Sequence, residues 1–294
     1  MTRIVSVGAL LLDQIASVSR FPKEDDEVFV SNLQQLPGGS AANFAVYCAR
    51  LGVESGFVGA VGEDAFGDFL LEDMLNEHVD VSNVVRYPNH PTGTVFVAVG
   101  PSGQREMFAF SGAANALDAK DISPLKYDHM HIADLENLKP LEELAARFKG
   151  TVSIGAGALI AEKGEKAARL LSFCDYIICS KEEVGALSGE KELKPGMERL
   201  FSSNKSMKLI VATQGAGGSL AYDGRYYSQE VFKVKVVDTT GAGDSFAAGF
   251  LLHYIEAKDV AEALKRGNAA AAATIGSTGA RNGLSREALE TIIG

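Results

Sequence analysis

The sequence has few cysteines, no excess of positive charge and no long apolar run. Its 294 residues include three cysteines, and 28 Lys and Arg stand against 38 Asp and Glu, for a net charge of -10. A sparse, odd cysteine count is typical of a reducing compartment, and a membrane span needs roughly 20 apolar residues in a row. Because nucleic acids and anionic membranes attract clustered basic side chains, neither is the expected main partner. We expect a cytoplasmic protein.

Ligand sets for a structural metal are also missing. Cys174 and Cys179 flank a predicted strand, and His129 and His131 share another, but no third ligand stands near either pair. Structural zinc takes four ligands, so we interpret these side chains as buried parts of the core. The segment G-x-x-x-x-G-K-S/T does not occur, which excludes a P-loop.

Short apolar runs alternate with amphipathic helical patterns through most of the chain. This alternation predicts βαβ units, and hence a mainly parallel sheet with helices on both faces. From Ala247 the pattern is mostly helical, including an alanine-rich helix near 259–275. The predicted strands lie at 4–12, 56–62, 129–135, 151–155, 176–180 and 208–214.

Two segments, 14–37 and 88–111, interrupt this alternation. Both are rich in strand-forming residues, and the second contains Gly-Pro-Ser-Gly between two β-rich runs, which is typical of a hairpin. We expect the two segments to pair into a small sheet over a cleft. The α/β core then comprises 1–13, 38–87 and 112–294.

The segment TTGAGD places a carboxylate at the start of a predicted helix. Helix N-termini carry unpaired N–H groups and partial positive charge, and glycine allows a close approach to the backbone. Residues Gly241, Ala242 and Gly243 can therefore bind an anion. Asp244 is unfavourable beside a plain phosphate, but it suits a base that takes a proton from an attacking hydroxyl group. The alternative is a simple helix cap.

A second segment, LPGGSAANFAVYCARLG at 36–52, also leads from glycines into a helix. Gly38 and Gly39 would allow ligand hydroxyl groups to reach the backbone, and Asn43 can both donate and accept hydrogen bonds. A tight turn followed by a cap is the alternative interpretation.

Together the two segments resemble the two signatures of the ribokinase-like, or PfkB, carbohydrate kinase family, and the resemblance covers essentially the whole chain. It implies a three-layer α/β/α domain with a mainly parallel central sheet and a small β-sheet lid over the sugar site. It also implies ATP-dependent phosphoryl transfer to a hydroxyl group of a small sugar, with Asp244 as the base. The implied anion hole is Gly241, Ala242 and Gly243, and the implied sugar contacts are Asp13, Gly38, Gly39, Asn43 and Glu136.

The same resemblance implies a nucleotide site and two cations. The family's Asn-x-x-Glu motif, which organises Mg²⁺ and phosphates, corresponds to Ser180 and Glu183, so serine replaces the asparagine here. Glu183 would act on Mg²⁺ through water. The other implied nucleotide contacts are Thr213, Gly215, Gly218 and Asn268, and the implied K⁺ site is formed by Asp238, Thr240, Thr274, Ser277 and Gly279.

Several alternatives remain open from the sequence. Ser40 stands where ribokinases carry Lys, which brings a nucleoside kinase close behind a sugar kinase, and Arg105 in the lid segment leaves a sugar-phosphate acceptor possible. The segment GAGGSL at 215–220 lacks the last glycine of a dinucleotide fingerprint. A non-catalytic sugar or nucleotide sensor is the least favoured interpretation, because Asp244, the implied base, is present. The resemblance also allows a homodimer through the lid.

Overall fold

The strands form two separate sheets in a computed structural model that describes residues 2–294. In chain order the strands are β1 (Arg3–Val7), β2 (Leu11–Val18), β3 (Val30–Gly38), β4 (Glu54–Gly62), β5 (Asp80–Tyr87), β6 (Thr94–Val99), β7 (Arg105–Phe110), β8 (His129–Ile132), β9 (Thr151–Ile154), β10 (Tyr176–Ser180), β11 (Leu209–Thr213), β12 (Ser219–Tyr222) and β13 (Tyr226–Gln229).

Ten α-helices of the described residues connect and cover these strands. They are α1 (Ser40–Arg50), α2 (Ala65–Asn76), α3 (Leu138–Arg147), α4 (Gly157–Ala161), α5 (Ala168–Leu171), α6 (Lys181–Ser188), α7 (Leu193–Ser203), α8 (Ala242–Ala257), α9 (Val260–Ile275) and α10 (Arg286–Ile293). Within residues 2–294, no helix is both long and apolar enough to cross a membrane.

The large sheet has nine strands in the order β13-β12-β11-β10-β9-β8-β1-β4-β5. Strands β11 to β5 of this order pair in parallel, and only the β11-β12-β13 edge is antiparallel. Parallel strands have their carboxyl ends at one edge, which is where α/β proteins place their ligands. The predicted mainly parallel sheet is confirmed.

Both faces of this sheet are buried, as continuous apolar strands require. Neighbouring residues of β10 point to opposite sides: Ile177 packs in the cluster that includes Leu144 of α3, and Ile178 packs in the cluster that includes Phe250 of α8. The result is the three-layer α/β/α arrangement. On α2, two apolar residues of the helical pattern, Phe69 and Leu75, remain exposed.

The first predicted strand, 4–12, is two strands in different sheets. β1 ends at Val7, and the chain enters β2 at Leu11. Between them, a Cβ atom at Gly8 would lie 2.7 Å from the Cβ of Ala41, so the crossing requires close backbone packing. Asp13 therefore lies within β2, in the small sheet, and not at the end of a core strand.

The small sheet has the order β3-β2-β6-β7 and is mixed, because β2 and β6 run parallel while the outer pairs are antiparallel. Leu11 pairs with Gly38, so this sheet extends beyond the predicted limits of 14–37 at both ends. Its β6-β7 hairpin lies inside the predicted segment 88–111.

The two histidines of β8 are buried core residues. His129 Nε2 and His131 Nδ1 each lie within 2.8 Å of Ser153 Oγ, and burial lowers the pKa of both rings. The cysteines are buried free thiols. Residues 2–294 contain no group of three His, Cys, Asp or Glu side chains arranged to hold a metal ion.

Candidate active site

A cleft of about 860 Å³ lies between the small sheet and the carboxyl ends of the core strands. We call it the main cleft. The small sheet supplies a largely apolar wall that includes Ile15, Val97 and Met107. The sequence-predicted residues that line it are Asp13, Gly39, Asn43, Glu136, Asp238, Thr240, Gly241, Asp244 and Gly279.

Helix α8 begins at the floor of this cleft. Gly241 has φ 78°, and a Cβ atom there would lie 2.3 Å from the carbonyl oxygen of Ala280, so glycine is required. The N–H of Ala242 donates to Thr239 O at 3.3 Å, whereas those of Gly241, Gly243 and Asp244 have no acceptor within residues 2–294. Free N–H groups at a helix N-terminus are suited to bind an anion.

A chain of polar contacts runs from Asp244 into the protein. Asn43 Nδ2 donates to Asp244 Oδ2 at 2.9 Å, and Arg281 Nε donates to Asn43 Oδ1 at 2.8 Å. The guanidinium of Arg281 also pairs with Asp73 on α2. The Asp244 side chain is therefore contacted directly by α1 and only indirectly, through Asn43, by the segment after α9.

The electrostatic surroundings move the pKa of Asp244 towards neutral pH. Burial raises the pKa of Asp244 to about 6, although the hydrogen bond from Asn43 and the charge of Arg281 lower it. Burial likewise raises the pKa of Asp13 to about 6, with Arg281 lowering it and Asp244 raising it further. A carboxylate with a pKa near the working pH is suited to general base catalysis.

Two predicted glycines are explained by the packing around Asp13. A Cβ atom at Gly38 would lie 2.4 Å from a carboxylate oxygen of Asp13, and one at Gly39, with φ 99°, would lie 2.3 Å from Ala9 O. Gly38 itself does not line the main cleft but makes room for Asp13. On the opposite wall, Glu136 is exposed and accepts a hydrogen bond from Ser111 Oγ at 3.2 Å.

Asp134 is a cleft residue that the sequence analysis missed. It lies two residues after the end of β8, and its Oδ1 accepts hydrogen bonds from the N–H groups of Leu159, at 3.1 Å, and Ile160, at 3.3 Å. Burial raises the pKa of Asp134 to about 7, and the charges of Glu183 and Asp244 add to the effect. Its position at the carboxyl end of a parallel strand was the signal that could have identified it.

Arg105 crosses the main cleft from the small sheet. Its Nη1 donates to Thr240 Oγ1 at 3.0 Å, so the sheet touches the loop that precedes α8. The same loop is held by Asp238, whose Oδ1 accepts from Thr240 N at 3.0 Å and whose Oδ2 accepts from Gly279 N at 2.9 Å. Burial acts to raise the pKa of Asp238, but these hydrogen bonds outweigh it and lower the pKa.

The other residues of the predicted K⁺ site surround the end of α9. Thr274 is fully buried, and its hydroxyl group donates to Ala270 O at 3.1 Å. Ser277 N donates to Thr274 O at 3.2 Å. The loop at 238–240 and the turn at 275–279 are therefore adjacent, and backbone carbonyl groups belong to both.

The predicted nucleotide residues lie outside the main cleft. Thr213 ends β11, and Gly215 begins a 3₁₀ turn that leads into β12. At Gly218, with φ 83°, a Cβ atom would lie 2.1 Å from Gln229 O. Asn268 Nδ2 donates to Gln229 O and Glu230 O at 3.1 and 2.9 Å. Because β11 and β12 form an antiparallel hairpin, this segment is not the strand-to-helix turn of a dinucleotide fingerprint.

Ser180 and Glu183 form a capping box at the start of α6. Ser180 Oγ accepts from Glu183 N at 3.2 Å, and Glu183 Oε2 accepts from Ser180 N at 2.8 Å. The second oxygen of Glu183 makes no hydrogen bond in the described part of the chain. Serine thus performs the capping function that asparagine also supplies.

Comparison with known proteins identifies relatives along the full length. The model of the pfkB family of carbohydrate kinases matches residues 1–287. The chain is 27% identical to the ribokinase of Staphylococcus aureus, with 95% of each chain covered, and 28% identical to the ATP-dependent ribose-1-phosphate kinase of Halopiger xanaduensis, with 100% and 98% covered. The crystal structure of ribokinase from Thermotoga maritima superimposes with a TM-score of 0.88 at 27% identity, covering 100% of this chain and 99% of that one.

Proposed function

The chain belongs to the pfkB family of carbohydrate kinases, and from that premise we propose that it transfers the γ-phosphoryl group of ATP to a hydroxyl group of a small, ribose-like sugar. The observation that carries the proposal is the position of Asp244, with its pKa of about 6, at a helix start where three N–H groups are free. A base and an anion-binding site are thereby joined in one turn of helix.

In the proposed reaction, Asp244 accepts the proton of the acceptor hydroxyl group as that oxygen attacks the γ-phosphorus. The bond from the γ-phosphorus to the bridging oxygen of ADP breaks, and ADP leaves with that oxygen. The N–H groups of Gly241, Gly243 and Asp244, with Ala242 in the same turn, stabilise the negative charge on the transferred group. Asn43 keeps the carboxylate of Asp244 oriented.

The acceptor binds in the main cleft. Its hydroxyl groups are bound by Asp13, Asn43 and Glu136, and by the backbone at Gly39. Five acidic residues but only one basic residue of the described chain line this cleft. This balance favours an uncharged sugar or, as the second candidate, a nucleoside whose base rests on the apolar wall. It disfavours a sugar phosphate, although one relative is named a ribose-1-phosphate kinase. The acidic lining residues are Asp13, Asp134, Glu136, Asp238 and Asp244, and the basic one is Arg105.

ATP binds along the edge formed by the β11-β12 hairpin and α9, with Thr213, Gly215, Gly218, Ser180 and Asn268 as its contacts. Mg²⁺ usually retains several waters and takes few protein ligands, so the free oxygen of Glu183 fits contact through water. The bound metal ion would neutralise charge on the phosphates. A K⁺ ion would be held by carbonyl groups near Asp238, Thr240, Thr274, Ser277 and Gly279, beside the loop that shapes the anion site.

The small sheet also offers a surface for a second copy. Its β3 and β7 strands expose Leu33, at 51%, and Phe108, at 66%, and neither side chain lines the main cleft. We infer a homodimer through this sheet. Sedimentation analysis of Phe108→Glu, with the wild type as reference, tests it: a wild type that sediments as a monomer overturns the inference.

The test of the function is a coupled ADP-release screen with ATP, Mg²⁺ and K⁺. It offers ribose, fructose, nucleosides, ribose 1-phosphate and fructose 6-phosphate as acceptors. ADP release that depends on ribose or fructose supports the proposal, and release with nucleosides alone supports the second candidate. In Asp244→Asn, kcat should fall by roughly 100- to 10,000-fold while acceptor binding is retained. Near-normal turnover in that variant contradicts the assignment of the base.

A further inference from the structure

Arg281 is a buried cation that contacts Asn43, the residue that donates a hydrogen bond to Asp244. Its side chain is 7% exposed, its Nε donates to Asn43, its Nη1 pairs with Asp73, and its Nη2 has no partner within residues 2–294. A buried guanidinium with one donor unsatisfied is costly, and apolar replacements of buried ion pairs are often as stable. Its presence is better explained by what it does to its neighbour.

That neighbour, Asn43, is held between a donor and an acceptor. An asparagine amide has one end that only accepts and one that only donates, a guanidinium only donates, and an ionised carboxylate only accepts. With Arg281 on one side and Asp244 on the other, only one of the two amide orientations satisfies both contacts. The reversed amide would place its oxygen against the carboxylate of Asp244, so Arg281 and Asp244 favour the same orientation, and loss of Arg281 removes one of its two constraints.

We propose that Arg281 is a positioning residue, which holds the Asn43 amide in the orientation that donates to Asp244. Asp73 in turn anchors Arg281 from α2, so the base is aligned from outside the main cleft. The proposal rests on the proposed function in taking Asp244 as the base, but the orientation of the Asn43 amide can be measured without any reaction.

The charge of Arg281 has a second, separable effect. It is a positive group near Asp244, and it opposes the burial that raises the pKa of that carboxyl group. The negative and titratable groups that act on the same site from other elements are Asp13 on β2, Tyr47 on α1, Asp134 after β8 and Glu183 on α6. Removal of the charge should therefore move the acidic limb of the pH–rate profile upward, and Arg281→Lys should leave the limb in place.

The first test compares Arg281→Met in two backgrounds. At about pH 8, where Asp244 is ionised, kcat should fall roughly 10- to 100-fold in the wild-type background with little change in the KM for ATP. In the Asn43→Ala background the same change should cost less than about twofold, because the amide through which it acts is absent. An equal loss in both backgrounds, or a kcat within about twofold of wild type, overturns the proposal.

The second test does not depend on catalysis. In ¹⁵N spectra, the side-chain amide protons of Asn43 should exchange slowly in wild type and much faster in Arg281→Met; equal exchange rates overturn the proposal. If the wild type transfers no phosphoryl group to any acceptor, the proposed function fails while this measurement still decides the role of Arg281. If Arg281→Met does not fold, Arg281→Gln provides the same comparison.

The matched control is Arg266→Met. Arg266 also bridges two carboxylates, with Nε 3.2 Å from Glu262 and Nη1 3.0 Å from Glu290, but it does not contact Asn43. Its loss should lower the melting temperature without changing kcat, the pH–rate profile or the exchange of the Asn43 amide. A comparable kcat loss in this control would show that destabilisation alone explains Arg281→Met, and would overturn the proposal.

Discussion

The guanidinium of Arg105, on the small sheet, donates a hydrogen bond to the hydroxyl group of Thr240, in the loop before α8, at 3.0 Å. This contact joins the small sheet directly to the loop that shapes the anion site. Because Arg105 is exposed, it contributes little to the folded state, and its effect should be seen in the closure of the cleft.

For Arg105→Ala we expect an unchanged melting temperature and a KM for the acceptor raised about 5- to 10-fold, the equivalent of one modest hydrogen bond. ADP release without acceptor should also rise, since a less firmly closed cleft admits water. Steady-state assays with and without acceptor measure both. Glu106→Ala, the next residue on β7, is the control, and an identical effect there would contradict a specific role for Arg105.

Gly243 allows the anion site to be tested without damage to the fold. A Cβ atom at Gly243 would meet open space, whereas one at Gly241 would strike Ala280 O. Gly243→Ala should be as stable as wild type or up to about 1 kcal/mol more stable, because alanine favours helix, yet the methyl group obstructs the approach to the N–H groups. We expect kcat to fall roughly 100-fold or more.

The control for Gly243→Ala is Gly241→Ala, which should lower the unfolding free energy by about 1–3 kcal/mol because of its strained φ and the clash. Thermal melts and turnover assays distinguish the two variants. Full activity in Gly243→Ala would show that the phosphoryl group does not bind at this helix start.

Three raised carboxyl pKa values predict how stability depends on pH. For Asp13, Asp134 and Asp244, the folded protein binds protons more tightly than the unfolded chain does. These three groups should therefore make the ligand-free protein less stable as pH rises from about 4 to about 7. The buried rings of His129 and His131, whose pKa values are lowered, oppose this slope below about pH 6.5, so the carboxyl contribution is the part of the slope that an Asp→Asn substitution removes. Chemical denaturation at several pH values measures the slope.

Asp134→Asn should remove part of that slope and raise the unfolding free energy at about pH 8 by roughly 1–3 kcal/mol, since the amide keeps an oxygen for Leu159 N and Ile160 N without the buried charge. Glu24→Gln, which removes one negative charge from an exposed position, is the control. A destabilised Asp134→Asn at that pH would contradict the assigned cause of the pKa shift.

The capping box at α6 allows a test of the serine that replaces the family asparagine. Ser180→Asn should leave stability within about 1 kcal/mol, because both residues cap helices well, but its longer side chain should lower the Mg²⁺ concentration for half-maximal rate roughly tenfold. Ser180→Ala is the matched control, with a loss of about 1 kcal/mol and no gain in Mg²⁺ affinity. An unchanged Mg²⁺ titration in Ser180→Asn would contradict a position of residue 180 near the metal ion.

The layers of the fold were predictable from the sequence because local patterns determine them. Ile177 and Ile178 belong to a continuous apolar run, which indicates a strand buried on both faces, and Ser40–Arg50 has the glycine entry and apolar face of a helix. The passage between sheets at Gly8 was not predictable, because 4–12 is mostly apolar and nothing local distinguishes the residues of one sheet from those of the other.

The site was predictable where a motif joins neighbours in sequence and not where it joins distant segments. Asp244 and Gly241 lie within one turn, so the sequence contains their relationship. Arg281 and Asn43 are 238 positions apart, and the sequence alone gives no reason to pair them. Asp134 was missed because its role depends on the amides of Leu159 and Ile160, which only the tertiary structure brings near.

The crossing of the chain from β1 into β2 determines which molecules can contact Asp13 and Asp244 together. Asp13 lies in the small sheet and Asp244 lies in the α/β core, so a molecule that contacts both acids must span the main cleft between them. A water molecule beside Asp244 is too small to contact both acids, so it gives no binding energy that favours closure of the small sheet over the core. Under the proposed function, an acceptor that contacts both acids would hold the small sheet over Asp244 and a water molecule would not, which would select against hydrolysis of ATP.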